Sequence, residues 1–240
     1  MKLIECVPNF SVGNDKSIID NILNSITSIN GVHLLDVDSG EATNRTVVTF
    51  VGEPESVLNA AFNAIKVASN TIDMTLHKGE HPRMGATDVC PLIPISNVTM
   101  KECIDLSNKL AKKVSNELKI QTFLYENSAT LSNRRNLSTI RQGEYEGMES
   151  KVEKNEWKPD YGKNIKFNKK SGVTAIGARE FLIAYNINLN TQNKKIATDI
   201  ALDIREAGRA KRDSNGKIIR DKDGNIIKKP GKLKFCKAVG

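Results

Sequence analysis

The feature that most constrains the fold is an alternation of two hydrophobic periods along the first 125 residues. Short apolar or β-branched runs, typical of strands, alternate with longer stretches whose apolar residues recur every three or four positions, as on one face of a helix. The order β-α-β-β-α-β, followed by α-β, predicts an α+β protein with a ferredoxin-like α/β sandwich, in which helices cover one face of a mainly antiparallel sheet. The predicted strands are residues 3–7, 32–37, 46–51, 89–95 and 122–125, and the predicted helices begin at Asn14 or Asp15, at Pro54 and at Met100.

The strand predicted at 89–95 contains two prolines, Pro91 and Pro94. Proline has no N–H to donate to a β-ladder, so we expect this segment at an edge of the sheet or as an irregular strand. From Asn127 to Gly172 the chain is polar, with one short helix predicted near residues 139–145. Such a stretch is typical of a domain boundary or of a long functional loop.

A second unit is predicted after this polar stretch. Phe181 to Leu189 alternates well enough for a strand, and Ile196, Ile200 and Ile204 define one face of a helix that ends near Gly208. Two later turn pairs, Asn-Gly at 215–216 and Asp-Gly at 223–224, predict hairpins. The alternative is a frayed end from about residue 209.

The formal net charge of +8 lies wholly in the last 36 residues. Residues 205–240 contain 12 Lys or Arg and 4 Asp or Glu, so the rest of the chain is neutral. A basic end can bind nucleic acid, but no aromatic residues alternate with these lysines to stack on bases. We therefore expect solvated surface and no nucleic-acid partner.

No apolar run approaches the roughly 20 residues that a membrane-spanning helix needs, and no membrane partner is expected. Glu5 and Pro8 interrupt the place where a signal peptide would have its apolar core, so a cytoplasmic protein is predicted. The cysteines contain no C-x-x-C pair and are interpreted as reduced thiols. They are Cys6, Cys90, Cys103 and Cys236.

The segment from His77 to Asp88 concentrates the groups that can carry chemistry, with two of the three histidines. His77-Lys-Gly-Glu-His81 fits the zinc-peptidase pattern H-x-x-E-H, which requires a helix to bring both imidazoles to one metal. Gly79 and Pro82 disfavour that helix, so no metal is expected, although a zinc hydrolase remains an alternative.

His81 is the candidate for acid–base chemistry in this segment. It precedes a rigid proline, Arg83 can bind an anion two residues further on, and Asp88 can orient the ring. For His77 we favour a structural role, in which its ring nitrogens form hydrogen bonds that hold the loop.

The segment His81-Pro-Arg-Met-Gly-Ala-Thr-Asp-Val89 resembles the H-P-R-M-G-A-x-D-V signature of glutamate formimidoyltransferases. Further blocks resemble the same family in the same order, from Lys2 to about Gly208. They are Val7-Pro-Asn-Phe-Ser11, Leu34-Leu-Asp-Val-Asp38, Thr43-Asn-Arg-Thr46, Phe50-Val-Gly52, Gly177-Ala-Arg179 and Ile183-Ala-Tyr-Asn-Ile-Asn188.

The resemblance implies transfer of a formimino group from N-formimino-L-glutamate to N5 of tetrahydrofolate, giving L-glutamate and 5-formiminotetrahydrofolate, in histidine degradation. It implies that His81 is catalytic and that Asp38 and Arg83 bind substrate, with a structural salt bridge as the alternative for both. It also implies a homodimer and a folate that can carry a polyglutamate tail. The implied folate-binding loop consists of Gly162, Lys163, Asn164, Ile165, Lys166, Phe167, Asn168, Lys169, Lys170, Ser171 and Gly172.

The chain also departs from the family pattern. Val12 stands where the family has Glu, and the chain stops before the remaining strands of the second subdomain. We therefore expect a formiminotransferase N-terminal subdomain with the folate loop at 1–175, and an incomplete second ferredoxin-like subdomain with the basic tail at 176–240. The alternatives are a non-catalytic folate-binding or assembly subunit and a relative that uses a formyl donor.

Overall fold

In the computed structural model, which describes residues 1–183, 185 and 187–240, helices and strands alternate through the first 126 residues as the sequence predicts. The strands are β1 (Leu3–Cys6), β2 (Asn9–Phe10), β3 (Val32–Gly40), β4 (Arg45–Gly52), β5 (Thr87–Ser96), β6 (Gln121–Glu126), β7 (Val173–Ala178), β8 (Arg209–Ala210) and β9 (Lys228–Lys229). The helices are α1 (Lys16–Thr27), α2 (Pro54–Thr71), α3 (Met100–Leu118), α4 (Leu137–Arg141), α5 (Glu144–Glu153) and α6 (Lys194–Ile204).

Local signals explain where the long helices begin. Asp15 caps α1 by accepting a hydrogen bond from the backbone N–H of Ile18, and Pro54 occupies the first turn of α2. Thr99 and Glu102 form a reciprocal capping box at the start of α3. These caps satisfy backbone donors that the helices themselves leave unpaired, so the predicted helix starts are confirmed.

Seven strands of the described chain form one mixed sheet in the order β3, β4, β1 with β2, β5, β7, β6. The pairs among β1 to β5 are antiparallel, whereas β7 is parallel to both β5 and β6. The structure is therefore α+β with a mainly antiparallel sheet, as predicted.

Strand β5 lies in the middle of the sheet in spite of its two prolines, so the expectation of an edge position is wrong and that of an irregular strand is correct. Pro91 lies opposite residues 7–8, which link β1 to β2 and belong to neither strand. No β-ladder hydrogen bond from the Pro91 nitrogen is therefore needed on this side. Pro94 lies beyond Leu92, the last residue of β5 paired with β7, and next to the extra residue Ile95, where the register of β5 against β1 shifts.

Both faces of the sheet are covered around β5, β6 and β7. Helices α1, α2 and α3 pack on one face over the larger core, as predicted. Helices α4 and α5, with Trp157, cover the other face over a second core, which corrects the prediction that helices lie on one face only. This second core contains Met84, Val89, Phe123, Tyr125, Ile140, Met148, Val152, Val173 and Ala175. The side chains of β6 alternate between the two cores, as the pleat of a strand requires.

Chain contacts divide the molecule into two compact units, Met1–Leu182 and Ile183–Gly240. The predicted strand at 181–189 includes Ala184 and Asn186, which lie outside the described residues, and its other residues pair with no strand in the structure. The predicted helix of this unit is confirmed as α6.

The basic tail contains two successive turns of the same design. Asp213 and Asp221 each accept backbone hydrogen bonds from residues two and four positions later, and Gly216 and Gly224 have positive φ. Arg212 pairs with Ile218 and Arg220 with Ile226 across these turns, so both predicted hairpins are present.

Among the described residues, none of the helices is both long enough and apolar enough to cross a membrane. Cys6, Cys90 and Cys103 are buried thiols, and Cys236 is partly exposed. All four are free, as predicted.

Candidate active site

The turn between β3 and β4 holds the histidine-containing loop. Asn44, whose φ is +46°, accepts a hydrogen bond from the N–H of Gly13 and donates one to the carbonyl oxygen of Lys78, both at 2.8 Å. The N–H of Glu80 donates to the carbonyl oxygen of Ala42 at 3.1 Å. These contacts join three segments that are distant in sequence, and they position His81 at the edge of the sheet.

His81 contacts the guanidinium group of Arg45. The distance from Nη1 of Arg45 to Nε2 of His81 is 3.0 Å, and the same Nη1 donates to Oδ1 of Asn9 at 2.9 Å. Nδ1 of His81 is buried and has no hydrogen-bond partner in the described part of the chain. Strands β2 and β4 therefore supply the side chains that surround this imidazole.

A buried ion pair lies next to these groups. The carboxylate of Asp88, whose side chain is 2% exposed, accepts two hydrogen bonds from Arg141 of α4 and one from the N–H of Met84. Asp88 thus binds Arg141 and the backbone and does not directly hold the His81 ring, which was its suggested role.

Burial lowers the pKa of His81, and the positive charges of Arg45 and Arg141 lower it further, while Asp88 acts in the opposite direction. Burial and the nearby Arg141 also lower the pKa of Arg45. The lowered pKa of His81 favours the neutral imidazole, the form that can accept a proton.

His77 has the structural role predicted for it. Its Nε2 donates to the carbonyl oxygen of Asn44 at 2.9 Å, and its Nδ1 accepts from Nε of Arg83 at 3.3 Å. Burial lowers the pKa of His77, and the charge of Arg83 adds to this effect.

Arg83 lies with His77, and its contacts do not include His81. Its guanidinium donates to Glu144 at 3.0 Å and to Glu146 at 2.6 and 2.9 Å, at the start of α5. The hydrogen bonds to Glu146 raise the pKa of Arg83 and lower that of Glu146. The structure thus contains the salt bridge that was the alternative for Arg83, and its substrate-binding role stays a prediction.

The geometry does not fit the zinc alternative. The segment from His77 to His81 is not helical, and its two imidazoles have different partners, Asn44 and Arg45. Among residues 1–183, 185 and 187–240, no three His, Cys, Asp or Glu side chains are grouped so as to hold a metal ion.

Asp38 shares a face of the sheet with the His81 partners. The strand register aligns Asn9 of β2, Val47 of β4 and Asp38 of β3 in one row, and the negative charge of Asp38 acts on Arg45. Asp38 is exposed and forms no ion pair with other described residues. It is therefore accessible to a ligand that binds on this face.

The loop from Gly162 to Gly172 is joined to the segment that follows His81. The N–H of Ala86 donates to the carbonyl oxygen of Ser171, and the N–H of Val173 donates to that of Met84. A side chain at Gly85 would lie 2.2 Å from the carbonyl oxygen of Val173, and one at Gly172, whose φ is +64°, would lie 2.3 Å from that of Met84. Glycine is therefore required at both positions of this close approach.

The exposed side of this loop is basic. Lys163, Lys166 and Lys169 are exposed, and Lys170 donates to the carbonyl oxygen of Asn70 at 2.6 Å. Phe167 packs against the second core and lies 6.2 Å from the ring of Tyr145. The loop thus has an anchored end at Gly172 and a set of cations that face solvent.

Three residues of this site carried no role in the sequence analysis, namely Asn9, Arg45 and Arg141. Asn9 and Arg45 lie in the family-like blocks 7–11 and 43–46. Their polar side chains inside these blocks were the signal that could have identified them as site residues. Arg141 lies in the polar stretch, where nothing in the local pattern distinguishes it from its neighbours.

A neutral imidazole beside two guanidinium groups is suited to proton transfer next to an anionic substrate. Family models match both parts of the chain. The model of the formiminotransferase domain, N-terminal subdomain, matches residues 3–179, and the model of the formiminotransferase domain matches residues 184–240. The chain belongs to the formiminotransferase family.

Three relatives illustrate the range of the family. The formimidoyltransferase-cyclodeaminase of Dictyostelium discoideum is 51% identical over 239 residues, which cover 100% of this chain and 41% of that protein. The glutamate formimidoyltransferase of Streptococcus pyogenes serotype M1 is 45% identical, covering 100% of this chain and 72% of that protein. The glutamate formimidoyltransferase of Thermoplasma acidophilum is 44% identical over 207 residues, 85% of this chain and 68% of that protein. The chain therefore spans less than half the length of the bifunctional Dictyostelium relative.

Proposed function

We propose that this chain is a transferase that moves the formimino group of N-formimino-L-glutamate to N5 of tetrahydrofolate, with L-glutamate as the second product. The observation that carries the proposal is the position of His81, which lies in the family signature with Nη1 of Arg45 3.0 Å from its Nε2. The two relatives named glutamate formimidoyltransferase support the same reaction. In this proposal the reaction belongs to histidine degradation.

The chemistry requires one proton to move twice. N5 of tetrahydrofolate attacks the formimino carbon and forms a C–N bond, and His81 takes the proton that N5 loses. The bond between that carbon and the glutamate nitrogen then breaks, and the imidazolium returns the proton to this nitrogen. A base whose pKa lies below that of free histidine suits the first step, because it is unprotonated at neutral pH.

The other predicted residues are proposed to bind the two substrates. Asp38 is accessible on the same face as Asn9 and Arg45, which supports a contact with substrate. Arg83 is proposed to bind a substrate carboxylate only if its bonds to Glu144 and Glu146 open. Folate is proposed to bind along residues 162–172, where the exposed lysines suit an acidic tail of one or more glutamates.

The test is activity of the His81→Ala variant, measured as the absorbance change on mixing the protein with formiminoglutamate and tetrahydrofolate. We expect a loss of about 100- to 10,000-fold, the usual contribution of a general acid–base group. His33→Ala is the matched control, because His33 is exposed on β3. Activity of His81→Ala within a few-fold of the unmodified chain would contradict the role of His81. Folate binding without turnover in the unmodified chain would instead favour a binding or assembly subunit.

We also infer a ferredoxin-like arrangement for the first part of the sheet. The order β3, β4, β1 with β2, β5 and the alternation with α1 and α2 support it. In this interpretation β7 and β6 extend the sheet beyond β5.

A homodimer and a cytoplasmic location complete the proposal. The family resemblance suggests the dimer. The four cysteines are free, which is consistent with the cytoplasm.

A further inference from the structure

The hydrogen bonds determine which nitrogen of each loop histidine carries the proton. A guanidinium group only donates, so Nε2 of His81 must accept the hydrogen bond from Arg45, and the single proton of the neutral ring must lie on Nδ1. This is the less common tautomer in water. It also leaves an N–H at Nδ1 buried without a partner in the described part of the chain.

His77 has the opposite arrangement. A carbonyl oxygen only accepts, so Nε2 of His77 carries the proton that it donates to Asn44, and Nδ1 accepts from Arg83. Two histidines four residues apart are therefore held in opposite tautomers, each by its own arginine.

Asp38 and Asp88 act on the charge of Arg45 from a distance, but neither carboxylate bonds to its guanidinium group. Arg45 forms no ion pair with the residues that the structure describes, whereas its neighbour Arg141 is paired with Asp88. The hydrogen bonds of Arg45 go to neutral acceptors, Asn9 and His81. A carboxylate is a stronger acceptor for a guanidinium than an imidazole nitrogen is.

We propose that Arg45 is a positioning residue that occupies Nε2 of His81 in the free protein and turns to a carboxylate of the donor substrate when that substrate binds. This inference rests on the proposed function, because it assigns the carboxylate to the formimino-glutamate donor. Nε2 is then free, with its lone pair available for the proton of the attacking nitrogen. The base thus becomes accessible only when the anionic substrate is present.

The arrangement can be observed directly by nuclear magnetic resonance of protein with ¹⁵N-labelled histidine. The chain has three histidines, so single His→Asn variants at 33 and 77 assign the signals. We expect His81 as the Nδ1–H tautomer and His77 as the Nε2–H tautomer. An Nε2–H tautomer for His81 in the free protein would overturn the proposal.

L-Glutamate is the probe for the exchange, because it supplies the carboxylates without the reacting group. In the unmodified protein it should shift the His81 nitrogen signals in a saturable manner and raise the pKa of the ring, since Arg45 leaves it. In Arg45→Met, the pKa of His81 should already be higher than in the unmodified protein, because a nearby cation is lost, while Arg141 and Asp88 still face the ring. L-Glutamate should then produce no further shift. The same shift in both proteins would overturn the exchange.

Arg83→Met is the matched control. It should alter the signals of His77 and leave those of His81 unchanged, whereas Arg45→Met should do the reverse. Simultaneous changes of both histidines in each variant would indicate a general loosening of the loop and contradict the separate roles. These signals do not depend on turnover. A chain without transferase activity would therefore refute the proposed function and still permit this test of the Arg45 contact.

Discussion

The two halves of the sheet differ in what covers the face opposite α1, α2 and α3. Behind β5, β6 and β7 this face is buried under α4, α5 and Trp157. On β3 and β4, no helix of the unit Met1–Leu182 covers this face. Side chains such as Asp36, Asp38 and Thr49 are exposed or partly exposed there. One half is thus packed on two sides, and the other on one side only.

This difference explains the position of the candidate site. His81, Arg45 and Asn9 lie where the cover ends, with the Asp88–Arg141 pair beside them at the edge of α4. The packed half keeps the backbone in a fixed geometry, and the open half leaves Asp38 accessible to a ligand. A site at such a boundary combines a rigid support with access for substrate.

The largest effect should follow from weakening the packed half. Phe123 is fully buried, and its ring lies 6.4 Å from that of Trp157 and 5.1 Å from the guanidinium carbon of Arg134. Phe123→Ala should lower the free energy of unfolding by about 3–5 kcal/mol, measured by urea denaturation. Thr49→Ala on the open half is the control and should cost less than about 1 kcal/mol. Equal losses would mean that the two halves are equally packed.

A smaller loss is expected at the boundary itself. Arg141→Met leaves the buried carboxylate of Asp88 with only the N–H of Met84. Breaking a buried pair costs about 3–5 kcal/mol, and the partial exposure of Arg141 reduces this to about 2 kcal/mol.

The double variant Asp88→Asn with Arg141→Met separates the charge from the packing. It removes the unpaired carboxylate, so urea denaturation should show it to be more stable than Arg141→Met alone. If the loss of unfolding free energy in the double variant equalled the sum of the losses in Asp88→Asn and Arg141→Met, the ion pair would contribute nothing to stability.

The parts of the fold that the sequence predicts correctly are those with a strong local period. Helix α3 begins at Met100 as predicted, because an apolar stripe and a capping box coincide there. Strand β7 was missed, since Val173–Ala178 is buried on both sides and therefore shows no alternation. The one helix predicted near residues 139–145 is two helices, since it overlaps the end of α4 and the start of α5. The continuation of α5 to Glu153 was missed because this helix buries few apolar residues, and its Lys151 donates to three carbonyl oxygens at the end of α4.

The candidate site shows the same limit. His81 could be found because titratable groups are concentrated in its own segment, but its partners come from β2 and β4. Proximity in sequence favoured Arg83, which instead holds α5 through Glu144 and Glu146. Pairing between distant strands decides which arginine reaches the imidazole, and a local pattern carries no information about that pairing.

The smallest effect should be a loss of stability in acid that originates at this boundary. The pKa values of His77 and His81 are lowered in the folded protein, mainly by burial. As the pH falls below the unfolded value of about 6.5, the unfolded chain binds protons that the folded loop resists, so stability is full above that pH and decreases below it. The effect is modest because both rings are only half-buried. Thermal unfolding between pH 7.5 and 5.5 should therefore depend less on pH in His77→Asn/His81→Asn than in the unmodified chain. An unchanged dependence in the double variant would mean that the carboxylates of the molecule, and not this loop, control its behaviour in acid.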